Sequence, residues 1–158
     1  TTVPETTVPE VTEPVEPEVD HFEFAQNADT SNVKFNESAG TITFSSGSVS
    51  SDDVYTLFAN DDVIVKDAKG NVVSDGKIGT GYTVTSTVNG VSETVEVVVV
   101  GDVNGDGNVA SADVLSLTTS LISGKKLSGA YAAAADSNGD GAVTSTDILH
   151  LSSKVRGW

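Results

Sequence analysis

Residues 102–113 read DVNGDGNVASAD and residues 136–147 read DSNGDGAVTSTD: two twelve-residue stretches, 34 positions apart, with oxygen-bearing side chains at alternate places through a glycine-rich turn. No other feature of the chain restricts its fold as tightly. A hard divalent cation such as calcium takes roughly six to eight oxygens at short range, and a tight loop supplies them from alternate positions. Positions 1, 3 and 5 are Asp102, Asn104 and Asp106 in the first loop and Asp136, Asn138 and Asp140 in the second. Position 7 contributes a backbone carbonyl, from Asn108 and Ala142, so its side chain is free to vary. Gly107 and Gly141 stand at position 6, where the sharp turn needs glycine. Asp113 and Asp147 close each set at position 12, one methylene shorter than the usual Glu. Position 9 is Ala110, which offers no side-chain oxygen and leaves room for a water, and Thr144. Magnesium fits less well, because it demands near-octahedral geometry and sheds water reluctantly. Asx-rich turns ahead of helices would use similar residues, but two copies with every ligand place kept favour two calcium ions.

The duplication continues past the loops. Val114, Leu115, Leu117 and Leu121 match Ile148, Leu149, Leu151 and Val155 at the same offset, an apolar set at helical spacing. Each loop is therefore expected to feed one amphipathic helix, with the apolar set packing the two helices together. Ser111, Thr118 and Thr119 match Ser145, Ser152 and Ser153. A merely solvated face would drift among Lys, Glu, Gln and Ser, so the repeat extends to the outer surface.

Upstream, residues 20–100 read as strands: HFEF, VKF, TITF, DVIVKD, GYTVTSTV and SETVEVVVV, rich in Val, Thr, Ile and Phe and separated by Gly, Asn, Asp and Ser. Asn89-Gly90 between two such runs is a hairpin turn signal. SSDDVYTLFA at 50–59 carries a hydroxyl cap, two acids in the first turn, and Val54, Leu57 and Phe58 at helical spacing. The last strand runs into Gly101-Asp102 with no flexible linker, which couples the two units. All four prolines fall within residues 1–19, in a Thr/Val/Glu repeat expected to be an extended spacer. That spacer and the start at Thr1 without Met lead us to expect a piece of a longer secreted or surface protein. The expected fold is thus two modules, a small and mostly antiparallel β-rich domain with one short helix (20–100) followed by an all-α domain of two EF-hand-like loop-helix units (101–158), preceded by the linker 1–19.

Two loop-helix units with Asp at position 12, no helix before the first, a short connector and the order DVNGDG…DSNGDG resemble a dockerin over residues 102–158. The resemblance implies a calcium-folded plug that binds a cohesin module on a scaffoldin, attaching its parent protein to an extracellular polysaccharide-degrading complex of cellulosome or amylosome type. It also implies recognition residues at loop positions 10 and 11 and along the following helix. Here these are Ser111, Ala112, Thr118, Thr119 and Ser123, then Ser145, Thr146, Ser152 and Ser153. Many dockerins carry a basic residue near mid-helix, where this sequence has Thr119 and Ser153. The near-identity of the two faces resembles dockerins that dock in two orientations. The β-rich unit is similar to the X-modules that precede some dockerins, through KIGTGYTV, the terminal hairpin and the uninterrupted junction. Its implied role is to brace the dockerin or add contact surface.

Charge and inventory exclude several other functions. With 8 basic against 23 acidic residues the net charge is −15, which disfavours nucleic acid and anionic membranes. Only six Asp and four Lys or Arg fall within residues 102–158, so most of the acidity lies upstream of them. No apolar run approaches the roughly 20 residues that span a bilayer. The absence of Cys rules out disulfides and thiol chemistry. His21 and His150 have no Ser or acid partner at catalytic spacing, so an enzyme is not expected, and the free chain is expected to be a monomer. Two rivals remain. A carbohydrate-binding adhesin would use the β-rich unit, where Tyr55 and Tyr82 are a thin supply for sugar stacking and better suited to packing. A calcium sensor would open a Met-rich groove, and the chain has no Met. Trp158 is expected to pack back on the start of the second module.

Overall fold

The computed structural model describes residues 21–45, 47–59 and 62–157; the linker at 1–19 and Trp158 lie outside them. The element order is β1 (Val33–Asn36), β2 (Thr41–Phe44), α1 (Ser51–Leu57), β3 (Val63–Lys66), β4 (Thr83–Val88), β5 (Val91–Val99), α2 (Ser111–Ser123), α3 (Gly129–Ala135) and α4 (Ser145–Arg156). A β-sheet region is thus followed by helices, in the two-module layout expected.

The five strands form one sheet in the order β1-β2-β5-β4-β3. Every neighbouring pair is antiparallel except β2 and β5, which are parallel and joined by the long crossover through α1, β3 and β4. Asn89 and Gly90, at φ 52° and 80°, make the two-residue turn between β4 and β5, with Val88 facing Val91 in register. Positive φ at both places is what that tight hairpin requires. Helix α1 starts on a reciprocal cap: Ser50 Oγ accepts from Asp53 N at 3.2 Å while Ser50 N donates to Asp53 Oδ2 at 2.8 Å. Its Val54 and Leu57 are buried with Ile42, Phe44, Val65, Ile78, Val84 and Val97 in the main core. Tyr55 packs against this core and its hydroxyl donates to the Val73 carbonyl at 2.9 Å.

HFEF is not a strand. Residue Phe24 makes a single bridge to Phe58, Ala59 N donates to the Glu23 carbonyl, and the chain then turns at Ala25–Ala28. The run is held by rings instead: Phe22 lies 5.2 Å from Phe35 and 5.4 Å from Phe58 between centroids, and Phe24 lies 5.8 Å from Phe58. Aromatic contacts satisfied its apolar side chains, and among the described residues the extended end of α1 pairs with it only at Phe58.

The run VEVVVV is apolar on successive residues because β5 is covered on both faces. Val95, Val97 and Val99 enter the main core, while Val98 is buried against Ala130 and Ala134 of α3. Helix α3 stands in what the sequence presents as a short connector. Its AYAAAA run is strongly helix-forming, but the small side chains give it almost no amphipathic signature. In the last layer α2 packs on α4 through Leu117 and Leu151, both fully buried, with Val114, Leu121, Ile148 and Val155 around them. Leu115 and Leu149 depart from the expected packing set: they are 67% and 70% exposed. Leu115 is two residues from Leu117, about 200° around the helix, so the two cannot share a face.

Candidate functional site

The two loops are built alike. In the first, Asp102 Oδ1 accepts from the N–H groups of Gly105 (2.9 Å) and Asp106 (3.1 Å), and Oδ2 from that of Gly107 (3.1 Å). Asp136 does the same in the second, with Gly139 (2.9 Å), Asp140 (3.1 Å) and Gly141 (2.8 Å). Asn104 Oδ1 accepts from Asp106 N at 2.8 Å, and Asn138 Oδ1 from Asp140 N at 2.9 Å. Asp106 Oδ1 accepts from Asn108 N at 2.8 Å, and Asp140 Oδ1 from Ala142 N at 2.9 Å. The alternation of Asp and Asn is therefore also what curls each loop, by Asx turns at successive positions.

Position 12 ties each loop to its helix. Asp113 Oδ1 accepts from Val103 N (2.9 Å) and Asn104 N (3.0 Å), and its Oδ2 from Ala110 N (2.9 Å). Asp147 Oδ1 accepts from Asn138 N (3.3 Å) and its Oδ2 from Thr144 N (2.8 Å). Thr144, at position 9, uses its hydroxyl as the cap of α4, accepting from Thr146 N at 3.2 Å.

Asp102, Asp113 and Asp147 are completely buried, and among the described residues none of them is ion-paired. Burial pushes the Asp102 carboxyl above the ordinary carboxylate range, and the nearby charge of Asp113 adds to this, while N–H donors from Thr80 and Gly107 oppose it. For Asp106 a desolvation cost is outweighed by hydrogen bonds from Asn108 and Asn104 and by the Lys77 ammonium, so its carboxyl titrates low. Among the described residues no three His, Cys, Asp or Glu side chains stand together as a metal cluster. The oxygens in each loop come instead from Asp interleaved with Asn. An all-oxygen set whose buried carboxylates are met by N–H donors and, among the described residues, by no ion-paired side chain fits calcium in kind.

The residues expected to meet a partner are divided between α2 and α4. Ser111, Ala112, Thr119 and Ser123 are exposed on the first, and Ser145, Thr146 and Ser153 on the second. Thr118 and Ser152 are half-buried, and the Thr118 hydroxyl donates back to the Val114 carbonyl at 2.7 Å. Sequence reasoning missed the leucines in their midst. Leu115 falls three or four residues from Ala112, Ser111, Thr118 and Thr119, and Leu149 holds the same place among Thr146, Ser145, Ser152 and Ser153. Ile122, 83% exposed, extends the stripe on α2. The signal was present: both leucines lie off the helical face of Leu117 and Leu151.

His21 pairs with Glu93 at 3.4 Å, and His150 Nδ1 lies 3.2 Å from Ser137 Oγ, which in turn donates to the Asp147 carbonyl. Among the described residues no helix is long and apolar enough to cross a membrane.

Residues 100–156 match the family model of the dockerin type I domain, which covers both loops and α2 to α4 and leaves the sheet outside it. No curated protein and no solved structure matches the chain. Dockerins are non-catalytic modules that bind calcium and dock onto cohesins.

Proposed function

With a dockerin module at residues 100–156, we propose that the chain is a docking fragment that binds two calcium ions and anchors an extracellular parent protein to a scaffoldin cohesin in a polysaccharide-degrading complex of cellulosome or amylosome type. Asp102, Asn104, Asp106 and Asp113, with the Asn108 carbonyl, would hold one ion; Asp136, Asn138, Asp140 and Asp147, with the Ala142 carbonyl, the other. Calcium would supply the positive charge that neutralises the clustered carboxylates of each loop. The chain's own residues do the rest. The loop N–H groups hold Asp102 and Asp136 in place, and Leu117 and Leu151 lock α2 to α4 so that their outer faces are presented together.

The observation that carries this reading is the matched outward pair Leu115 and Leu149, each flanked at helical spacing by small, mostly hydroxyl residues and each far more exposed than a leucine at a packed helix surface. An apolar centre with a small polar surround is the composition of a protein interface. The near-equality of the two faces supports docking in either of two orientations. The β-rich unit acts as the brace, and its Tyr55 is committed to core packing and the Val73 carbonyl, which leaves little for a sugar platform. Binding of the full chain to a panel of cohesins, in millimolar calcium and again in chelator, tests this. Calcium-dependent binding to one cohesin is expected; calcium uptake with no binding across the panel would remove the docking role.

A further inference from the structure

The segment Lys77–Gly81, between β3 and β4, lies in the β-rich unit by sequence but is built into the first loop. Thr80 N donates to Asp102 Oδ2 at 2.9 Å, a buried bond across 22 residues. Gly79 lies flat against the loop backbone: a Cβ there would stand 2.4 Å from the Gly105 carbonyl oxygen and 3.0 Å from Gly107 N. From the other side, a Cβ on Gly105 would meet the Thr80 carbonyl oxygen at 2.7 Å. Lys77 Nζ donates to Asn108 Oδ1. Val109 packs against both the main core and the helical core.

Among the described residues no comparable segment lies on the glycines of the second loop. Nothing lies within 4 Å of a Cβ on Gly139 or Gly141. Asp136 is only partly buried where Asp102 is fully so, and Gly141 is exposed where Gly107 is buried. Two loops of nearly the same sequence and internal hydrogen bonding thus sit in different surroundings.

We propose that the strap at residues 77–81 is a working part of the first cation loop, holding it in ligating shape before the ion arrives, so that the two loops bind calcium unequally and ion binding at the first is coupled to the β-rich unit. The inference rests on the reading that both loops take calcium. A loop already held loses less freedom on binding, and that difference appears directly as affinity. The Lys77 ammonium acts the other way, repelling a cation near Asp106, but it is exposed and screened by solvent, whereas the Thr80–Asp102 bond is buried. Pre-organisation therefore dominates and the first loop is the tighter site. Coupling is reciprocal, so calcium at the first loop stabilises the strap and the sheet end it joins.

The test is calcium titration by calorimetry on the metal-stripped full chain, with Asp106→Ala and Asp140→Ala to assign the sites and Gly79→Ala to displace the strap. Two unequal sites are expected, with the tighter one lost in Asp106→Ala. In Gly79→Ala that site should weaken by about tenfold or more while the second holds its affinity. Hydrogen exchange at the Thr80 amide gives a second readout that does not depend on that variant folding. Calcium should slow it in the wild type and in Asp140→Ala but not in Asp106→Ala. Equal sites, a Gly79→Ala effect on both or neither, or a Thr80 amide indifferent to calcium would overturn the proposal while leaving calcium binding intact. A wild-type chain that takes up no calcium would overturn both.

Discussion

Lys154 Nζ, on the last turns of α4, donates to the Val100 carbonyl at 3.0 Å and to the Ser45 carbonyl at 3.2 Å, closing the ends of β5 and β2 with one ammonium. Burial lowers its pKa from the usual lysine value, so the charge is held where it is costly unless both carbonyls receive it. Lys154→Met keeps the stem and removes the donors. We expect a loss of about 1 kcal/mol, below the roughly 1.5–3 kcal/mol of a hydrogen bond to a charged group because the side chain is partly exposed, read as a melting temperature lower by about 2–4 °C. A variant that melts like the wild type would show that the helical unit is not held to the sheet through this side chain.

Leu115→Ala and Leu149→Ala should leave the fold within about 0.5 kcal/mol, since neither side chain is packed. Surface plasmon resonance on a cohesin that binds the wild type is expected to show each single variant binding within about threefold of it and the double variant more than tenfold weaker. That pattern belongs to two interchangeable faces. If one substitution alone abolishes binding, a single docking orientation replaces the dual one.

Chelation should cost helix content. Asp102 and Asp113 are fully buried in one loop without an ion-paired partner among the described residues, so removing calcium leaves their repulsion uncompensated. Far-UV circular dichroism in chelator is expected to lose helical signal and to regain it on adding excess calcium. An unchanged spectrum would mean that the loop N–H groups alone are enough to hold the helices.

Gly101 stands at the junction with φ +100°, and a Cβ there would lie 2.9 Å from both Leu151 Cδ1 and Val109 Cγ1. Gly101→Ala combines a conformation that side chains rarely adopt with two core contacts that must give. A destabilisation of about 2–4 kcal/mol is expected, as a fall in the thermal midpoint of the calcium-loaded chain. A fall of less than about 1 kcal/mol would mean that the junction relaxes without strain.

Much of the local structure was legible. Ser50 with Asp53 announced the start of α1, Asn89-Gly90 announced the β4–β5 turn, and the matched apolar positions announced α2 and α4, because each depends on torsion preferences and spacing within a few residues. HFEF failed as a strand because β pairing needs a partner edge of matching length, and among the described residues the only bridge it makes is from Phe24 to Phe58. Helix α3 escaped notice because alanines suit a helix without marking a buried face. Leu115 and Leu149 were grouped with the core by hydrophobicity, although their angular position put them outside it.

The sequence by itself determined which atoms each loop offers, where each turns, and that the loop-helix unit occurs twice, since alternation, glycine placement and helical period are local properties of the chain. Only the tertiary structure decided that the two loops are unequal. Asp102 and Asp136 have nearly identical neighbours in sequence, and they differ because Thr80 and Gly79, brought in by the sheet, press against the first loop, while among the described residues nothing lies within 4 Å of a Cβ on the second loop's Gly139 or Gly141. Such a contact depends on where β3, β4 and β5 place the strap in space, and no local pattern around either Asp encodes it.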